Sequence, residues 1–296
     1  MTEEILTINE QQYLIRYENE LTNEQRNSVI SQLTLQGEIE EPIVDDEINK
    51  VETPLDQSIS SLSLIYNNHF KSTTLDPKLI RFGNTTWTNW TAASIYNVVP
   101  YYPDSTSPGY VRLKLTRNPN YNSNCGCTSS NNCCKKYVGS GFDIRGSPFK
   151  YGRVDIRARF PYSNAGNVGY ICLWPNSPSS WPPEIDFAET DGIRSETTTF
   201  TQHYKESNVH KMLVKTLTSF TVNSFHVYTV IVTSTEVKWY VDGVWKLTQP
   251  NKSPGQYWEY SCGLWAGNCS GNWGGCPTFT TTKYLDIDYL KIYKQV

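Results

Sequence analysis

Three carboxylates fall within the six-residue segment Glu-Ile-Asp-Phe-Ala-Glu, residues 184–189. Side chains of a strand alternate between its two faces, so Glu184 and Asp186 share one face. Strict alternation would direct Glu189 to the other face, and a one-residue β-bulge near Phe187 and Ala188 would return it. Crowded acids raise at least one pKa, so one carboxyl can attack while another stays protonated as an acid. Retaining glycosidases use such an arrangement, and the alternative is a solvated acidic strand on a plain sandwich.

This segment resembles the E-x-D-x-x-E signature of glycoside hydrolase family 16. Its form is the bulged one, typical of laminarinases (endo-β-1,3-glucanases) and of several galactan-cleaving relatives. Five further segments are similar to the family in the same order: 150–160, 169–175, 225–232, 237–243 and 284–293. The resemblance covers roughly residues 62–296. It implies an all-β, concanavalin A-like jelly-roll sandwich whose concave sheet holds a substrate cleft.

The resemblance also implies a role for each carboxylate. Glu184 stands at the position of the nucleophile, which attacks the anomeric carbon to give a glycosyl-enzyme. Glu189 stands at the position of the acid/base, which protonates the leaving oxygen and then activates water. Asp186 lies between them and is expected to hydrogen-bond Glu184 and hold the shared charge in place. Retention requires the two reacting carboxyls roughly 5–5.5 Å apart.

Aromatic faces that stack on sugar rings are expected around the motif. Trp181 matches the family's Trp just ahead of the first glutamate, although the loop is shorter and lacks the usual Gly. Cys172 stands where relatives often carry Trp. Each Trp has the alternative of packing in the core or on the surface. The predicted substrate-binding residues are Trp174, Trp181, His203, Trp265 and Asn268.

Charge divides the chain. Residues 1–56 contain 14 Asp/Glu and 3 Lys/Arg, whereas the remainder carries 15 acids and 23 bases. This asymmetry predicts an acidic extension over 1–57 and a catalytic β-sandwich over 58–296. Loosely helix-spaced apolar residues from Leu14 and Ile15 to Leu33 predict one or two short helices in the extension. A solvated tail and an arm that docks on the basic domain or on another protein are the two interpretations.

Four cysteines, Cys125, Cys127, Cys133 and Cys134, fall within ten residues. Crosswise bridges from the last two to the first two are expected, because adjacent cysteines do not pair easily. A zinc site is the alternative, but the spacings differ from the usual C-x₂₋₄-C pairs and no His is near.

The other four cysteines predict two different states. Cys269 and Cys276 flank a Gly-rich loop and are expected to close it. Cys172 and Cys262 lie in apolar strand patterns and are expected as buried free thiols.

The chain shows no apolar run of membrane-spanning length, and its start lacks the features of a signal peptide. Its eight cysteines suit an oxidising setting, extracellular or within a virion, so the compartment stays open. A polysaccharide is the expected partner, with no nucleic acid. Some family members bind a structural calcium ion, and this alternative stays open, although no compact oxygen-ligand loop identifies such a site here. No other cofactor and no metal-ligating residues are predicted.

These patterns favour a retaining endo-glycosidase acting on a β-linked polysaccharide, with β-1,3-glucan as substrate. Transglycosylation is an alternative, because a sugar hydroxyl can intercept the same intermediate in place of water. Galactanase or agarase activity shares the bulged motif. A non-catalytic carbohydrate-binding or structural sandwich is the alternative of a different class, and the intact trio of carboxylates argues against it.

Overall fold

The computed structural model describes twelve stretches of the chain. They are residues 2–8, 11–17, 61–71, 76–81, 94–96, 109–119, 121–124, 136–162, 166–177, 181–194, 196–267 and 274–296. The chain divides into two compact units, residues 1–50 and 51–296. The boundary expected after residue 57 stays a prediction, because residues 51–60 lie outside these stretches.

The first unit contains two antiparallel strands, β1 (Thr2–Ile8) and β2 (Gln11–Tyr17). Leu14 and Ile15, which the spacing assigned to a helix, lie in β2, where pairing with β1 provides the backbone hydrogen bonds. The helix expectation was therefore wrong for these two residues. The remaining residues of the expected helices and the acidic linker lie outside the described stretches.

The second unit is built from strands in its described residues. They are β3 (Leu62–Asn68), β4 (Leu79–Arg81), β5 (Ser94–Tyr96), β6 (Val111–Arg117), β7 (Tyr137–Phe149), β8 (Gly152–Arg159), β9 (Asn167–Pro175), β10 (Glu184–Glu189), β11 (Thr197–Glu206), β12 (Val209–Thr218), β13 (His226–Val232), β14 (Glu236–Val241), β15 (Val244–Pro250), β16 (Trp258–Ala266) and β17 (Lys283–Gln295). No helix in the described part of the chain is long and apolar enough to cross a membrane.

The strands form two layers joined through β6 and β7. One layer has the order β12-β11-β10-β9-β16-β7, and the other has the order β6-β17-β8-β13-β14-β15. The layers pack face to face. Trp239 of β14 donates its indole N–H to the carbonyl of Asp186 at 3.0 Å, and its ring stacks on Phe200 of β11. The all-β sandwich expected from the sequence is confirmed.

Alternation decides which side chains enter the core between the layers. Val154, Ile156 and Ala158 of β8 are fully buried in it, as period-2 patterning predicts. The β14–β15 connection uses Asp242 and Gly243 at φ 51° and 75°. A two-residue hairpin turn of this kind needs positive φ at both positions, and Asp-Gly is one of the pairs that favour it.

Acids on the outer face of β17 are used for structure. Asp286 accepts from Arg112 of β6 at 2.6 Å and from Arg159 of β8 at 2.8 Å. Asp288 pairs with Arg157 at 2.7 Å. These contacts tie three adjacent strands together, so both acids have a structural role.

Candidate active site

Strand β10 lies between β9 and β11, and an extra residue interrupts its register. Asp186 pairs with Cys172 of β9, whereas Ala188 already pairs with the preceding residue, Ile171. On the other side, the step from Asp186 to Glu189 corresponds to only two residues of β11. The β-bulge predicted near Phe187 and Ala188 is therefore confirmed.

The bulge places both of its residues on the core side. Ile185, Phe187 and Ala188 belong to the hydrophobic core. Glu184 and Asp186 are buried but lie on the opposite face of the sheet. The charges of Glu184 and Asp186 act on Glu189, which shares their side of the strand. The fold thus converts a five-residue spacing into a group of three neighbouring carboxyls.

Burial controls the protonation of this group. It raises the pKa of Glu184 and of Glu189 well above the usual range, and the neighbouring carboxylates raise both further. Burial also raises the pKa of Asp186 to about 7, and a hydrogen bond between the Glu184 and Asp186 carboxyls opposes that shift. Such a group holds protons near neutral pH, so one carboxyl can donate a proton while another carries charge.

Trp181 contacts the first glutamate directly. Its indole N–H donates to Oε2 of Glu184 at 2.7 Å, which fixes the carboxyl group beside the aromatic ring. Trp174 of β9 stacks on Trp181 with ring centroids 6.4 Å apart and planes inclined by 15°. Both rings are partly exposed, so they form an aromatic wall next to Glu184.

A pair of histidines lies next to Asp186. Nε2 of His203 is 3.2 Å from Oδ2 of Asp186, and Nδ1 of His203 is 2.9 Å from Nε2 of His210. Burial lowers the pKa of His203, which keeps this ring neutral near pH 7. The ring of His210 also contacts Trp181, with centroids 5.0 Å apart. The two rings therefore connect the carboxyls with the exposed edge strand β12.

Other predicted residues are placed differently. Trp265 is buried, 9% exposed, and sits on β16 opposite Val168, next to Gly274. No contact described for it reaches the three carboxyls. Asn268 lies outside the described residues. Cys172 and Cys262 are buried free thiols, as expected. The cysteines of the 125–134 cluster and Cys269 also lie outside the described residues, so the bridges stay predictions.

Sequence reasoning overlooked His210. Residues Ser207 and Asn208, both at positive φ, turn β11 into β12, so that Lys205 pairs with His210 and His203 with Met212. Paired residues of an antiparallel ladder share a face, which brings the two histidines side by side. The Ser-Asn turn between two alternating segments was the available signal.

The described groups can act on an acetal carbon. The carboxyl of Glu184 is held by the indole N–H of Trp181 and is hydrogen-bonded to Asp186. The carboxyl of Glu189 has a raised pKa. Together they combine a charged oxygen with a proton donor. The aromatic wall provides an apolar face beside them.

Comparisons with known proteins agree with this chemistry. The family profile of glycosyl hydrolases family 16 matches residues 109–291. Glucan endo-1,3-beta-glucosidase A1 of Niallia circulans is 25% identical over 287 residues, covering 86% of this chain and 41% of the relative. The chain therefore spans about two fifths of that relative's length.

Two solved structures share the fold. The laminarinase from Rhodothermus marinus aligns with a TM-score of 0.63 at 21% identity, over 80% of this chain and 98% of that one. The family 16 glycoside hydrolase of a mixed linkage glucan PUL from Bacteroides ovatus, in complex with the product G4G4G3G, aligns with a TM-score of 0.62 at 16% identity. That alignment covers 77% of this chain and 99% of the Bacteroides ovatus chain.

Proposed function

This chain belongs to glycosyl hydrolases family 16, and from that premise we propose that it hydrolyses a β-glucan by a retaining, endo-acting mechanism, with β-1,3-glucan as its preferred substrate. The observation that carries the proposal is the bulge in β10, because it gathers Glu184, Asp186 and Glu189 on one side of the strand. A structural strand would not need three acids there, since burying them is unfavourable.

In the proposed reaction, Glu184 attacks the anomeric carbon while Glu189 gives its proton to the leaving oxygen. The glycosidic bond breaks and a glycosyl-Glu184 ester forms. Glu189, now ionised, then removes a proton from water, which attacks the anomeric carbon. The bond between this carbon and Glu184 breaks, so Glu184 is released as a carboxylate and Glu189 is protonated again. The N–H of Trp181 and the carboxyl of Asp186 hold Glu184 in position, and Asp186 stabilises the arrangement without forming a bond to the sugar.

The aromatic wall of Trp174 and Trp181 supports sugar binding beside Glu184, because pyranose rings stack their C–H faces on aromatic rings. The Niallia circulans relative is a glucan endo-1,3-beta-glucosidase, which supports a β-1,3-glucan substrate. The Bacteroides ovatus protein is the family 16 glycoside hydrolase of a mixed linkage glucan PUL, in complex with the product G4G4G3G, which supports mixed-linkage glucan as the second candidate.

A substrate screen tests the proposal. Laminarin, lichenan, agarose and carrageenan are incubated with the full chain, and new reducing ends are measured. We expect the highest rate on laminarin, early release of oligosaccharides, and products that first appear as the β-anomer in proton NMR. An α-anomer would contradict retention, activity on agarose alone would contradict a glucan substrate, and no activity on any of them would overturn the function.

The pH dependence of kcat/KM follows from burial of the carboxyls. Glu189 must be protonated to act as the acid, and its raised pKa keeps it protonated to higher pH. The activity therefore falls on the basic side only as pH rises through that raised pKa. The Glu184–Asp186 pair must carry charge, and burial raises the pKa of Asp186 to about 7. We expect the acidic limb of the pH profile to lie well above pH 4, because about 4 is the pKa of ordinary carboxylic acids. Initial rates between pH 4 and about 9 measure the profile. An acidic limb near pH 4 would contradict this expectation.

A further inference from the structure

The thiol of Cys172 lies among the carboxyls. Cys172 of β9 pairs in register with Asp186 of β10, and paired residues of antiparallel strands project on the same face. Its neighbours Ile171 and Leu173 belong to the hydrophobic core on the other face. The side chain is fully buried and its thiol is free. A soft sulfur donor therefore stands directly beside two hard oxygen donors.

Three donor atoms are close enough to share one ion. Sγ of Cys172 and one carboxylate oxygen each of Glu184 and Asp186 all lie within 4.8 Å of one another. We call these three residues the thiol–carboxylate cluster. Oδ2 of Asp186 is buried and accepts no hydrogen bond in good geometry, with Nε2 of His203 at 3.2 Å. A member of the cluster that has an unsatisfied buried carboxylate oxygen is suited to a cation.

The electrostatic surroundings favour a cation as well. The charges of Glu184, Asp186, Asp143 and Glu189 all act on Cys172. Among the described residues, no Lys or Arg is a leading influence on the pKa of the three carboxyls of β10. A divalent ion would neutralise this concentration of negative charge.

We propose that the thiol–carboxylate cluster binds one thiophilic divalent cation, such as Zn²⁺ or Cd²⁺, and that the bound ion blocks the reaction. Three protein ligands with a fourth position for water are a common zinc arrangement, and thiolate selects zinc-like ions over Mg²⁺ or Ca²⁺. Binding forms one metal–sulfur bond and two metal–oxygen bonds. The thiol proton and any proton held by the two carboxyls go to the buffer, so no oxidant or reductant takes part. The blocking effect alone rests on the proposed function, because the ion would engage Glu184.

The chain supplies a matched control in Cys262. This second buried free thiol lies on the adjacent strand β16, in register with Ile171. It faces the hydrophobic core, not the carboxyls. Cys262→Ala therefore removes a buried thiol of the same sheet without touching the proposed ligands.

Metal binding is tested directly on the full-length protein. Co²⁺ and Cd²⁺ titrations are followed by the thiolate-to-metal absorption band, and Zn²⁺ affinity is measured by displacement of Co²⁺. We expect Cys172→Ala to bind one ion fewer than the wild type and to lose the thiolate-to-metal absorption of that ion. Cys262→Ala should keep the wild-type stoichiometry and absorption. Cys172→Ser provides a second variant if the alanine protein does not fold. Equal stoichiometry and equal absorption in wild type and both Cys172 variants would overturn the site.

Inhibition is measured separately, on laminarin and lichenan, as the fraction of each protein's own metal-free rate. We expect the Zn²⁺ concentration for half inhibition to rise at least about tenfold in Cys172→Ala. Mutating a residue that merely supports a metal ligand already weakens metal affinity by about that factor, and this variant removes a ligand itself. It should not change in Cys262→Ala, and Mg²⁺ should not inhibit. Metal binding without inhibition would overturn the blocking effect. Because the absorption assay contains no substrate, it reports on the site even if the proposed hydrolysis fails.

Discussion

Glu184→Gln is expected to abolish β-glucan hydrolysis, with kcat lowered by about 10⁴-fold or more, because an amide cannot form the ester intermediate. The fold should be retained. Glutamine has nearly the same shape, its Oε1 can still accept the indole N–H of Trp181, and the side chain no longer contributes a buried charge. Initial rates on laminarin and lichenan, together with a far-UV circular dichroism spectrum, check both statements.

A shorter variant separates the nucleophile from a merely structural carboxyl. In Glu184→Gly, added azide can occupy the space of the lost side chain and attack the anomeric carbon of an activated β-glucoside from that side. We expect an α-glucosyl azide, because one displacement inverts the configuration. Glu236→Gln serves as the control, since that acid pairs with Lys238 on the other layer and should leave the rate unchanged. Wild-type rates in Glu184→Gln, or a β-azide from Glu184→Gly, would contradict the assigned role.

Glu189→Gln should show the second largest loss. Hydrolysis of polysaccharide is expected to fall by roughly 10²–10⁴-fold, the usual contribution of general acid–base catalysis. An aryl glucoside with a good leaving group needs no proton in the first step, so its glycosyl-enzyme should still form and accumulate. Azide should then intercept that intermediate as the β-glucosyl azide, with retained configuration. An equal loss on both kinds of substrate would show that Glu189 is not the acid.

The same variant tests the buried charge through stability. Burial and the neighbouring carboxylates raise the pKa of Glu189 in the folded protein. The folded state therefore binds this proton more tightly than the unfolded state does, and stability falls as pH rises from the ordinary glutamate range through the raised pKa. Glutamine has no proton to lose. We expect Glu189→Gln to have a higher Tm than the wild type at pH 8, with the difference shrinking towards pH 4. A lower Tm at pH 8 would contradict the burial of this carboxyl.

Local spacing was sufficient for much of this protein. Period-2 alternation is visible in the sequence of residues 150–160, and it agrees with the burial of Val154, Ile156 and Ala158 in the core. The Asp242-Gly243 pair is typical of a hairpin turn, because only a few residues adopt positive φ easily. The spacing of the three acids also predicted the β-bulge, because strict alternation would direct Glu189 into the core. Each of these conclusions concerns residues that are neighbours along the chain.

The tertiary structure decided what lies around the carboxyls. His210 reaches His203 only through the β11–β12 register, and Cys172 meets Asp186 only through the pairing of β9 with β10. The raised pKa of Glu189 likewise depends on its burial in the folded protein, which a sequence pattern does not measure. Trp265 is a further case, because its burial on β16 could not be read from its own segment of the sequence. The sequence by itself determined the fold class and the reacting groups. Their electrostatic environment and their neighbours required the fold, because both arise from contacts between residues distant in the chain.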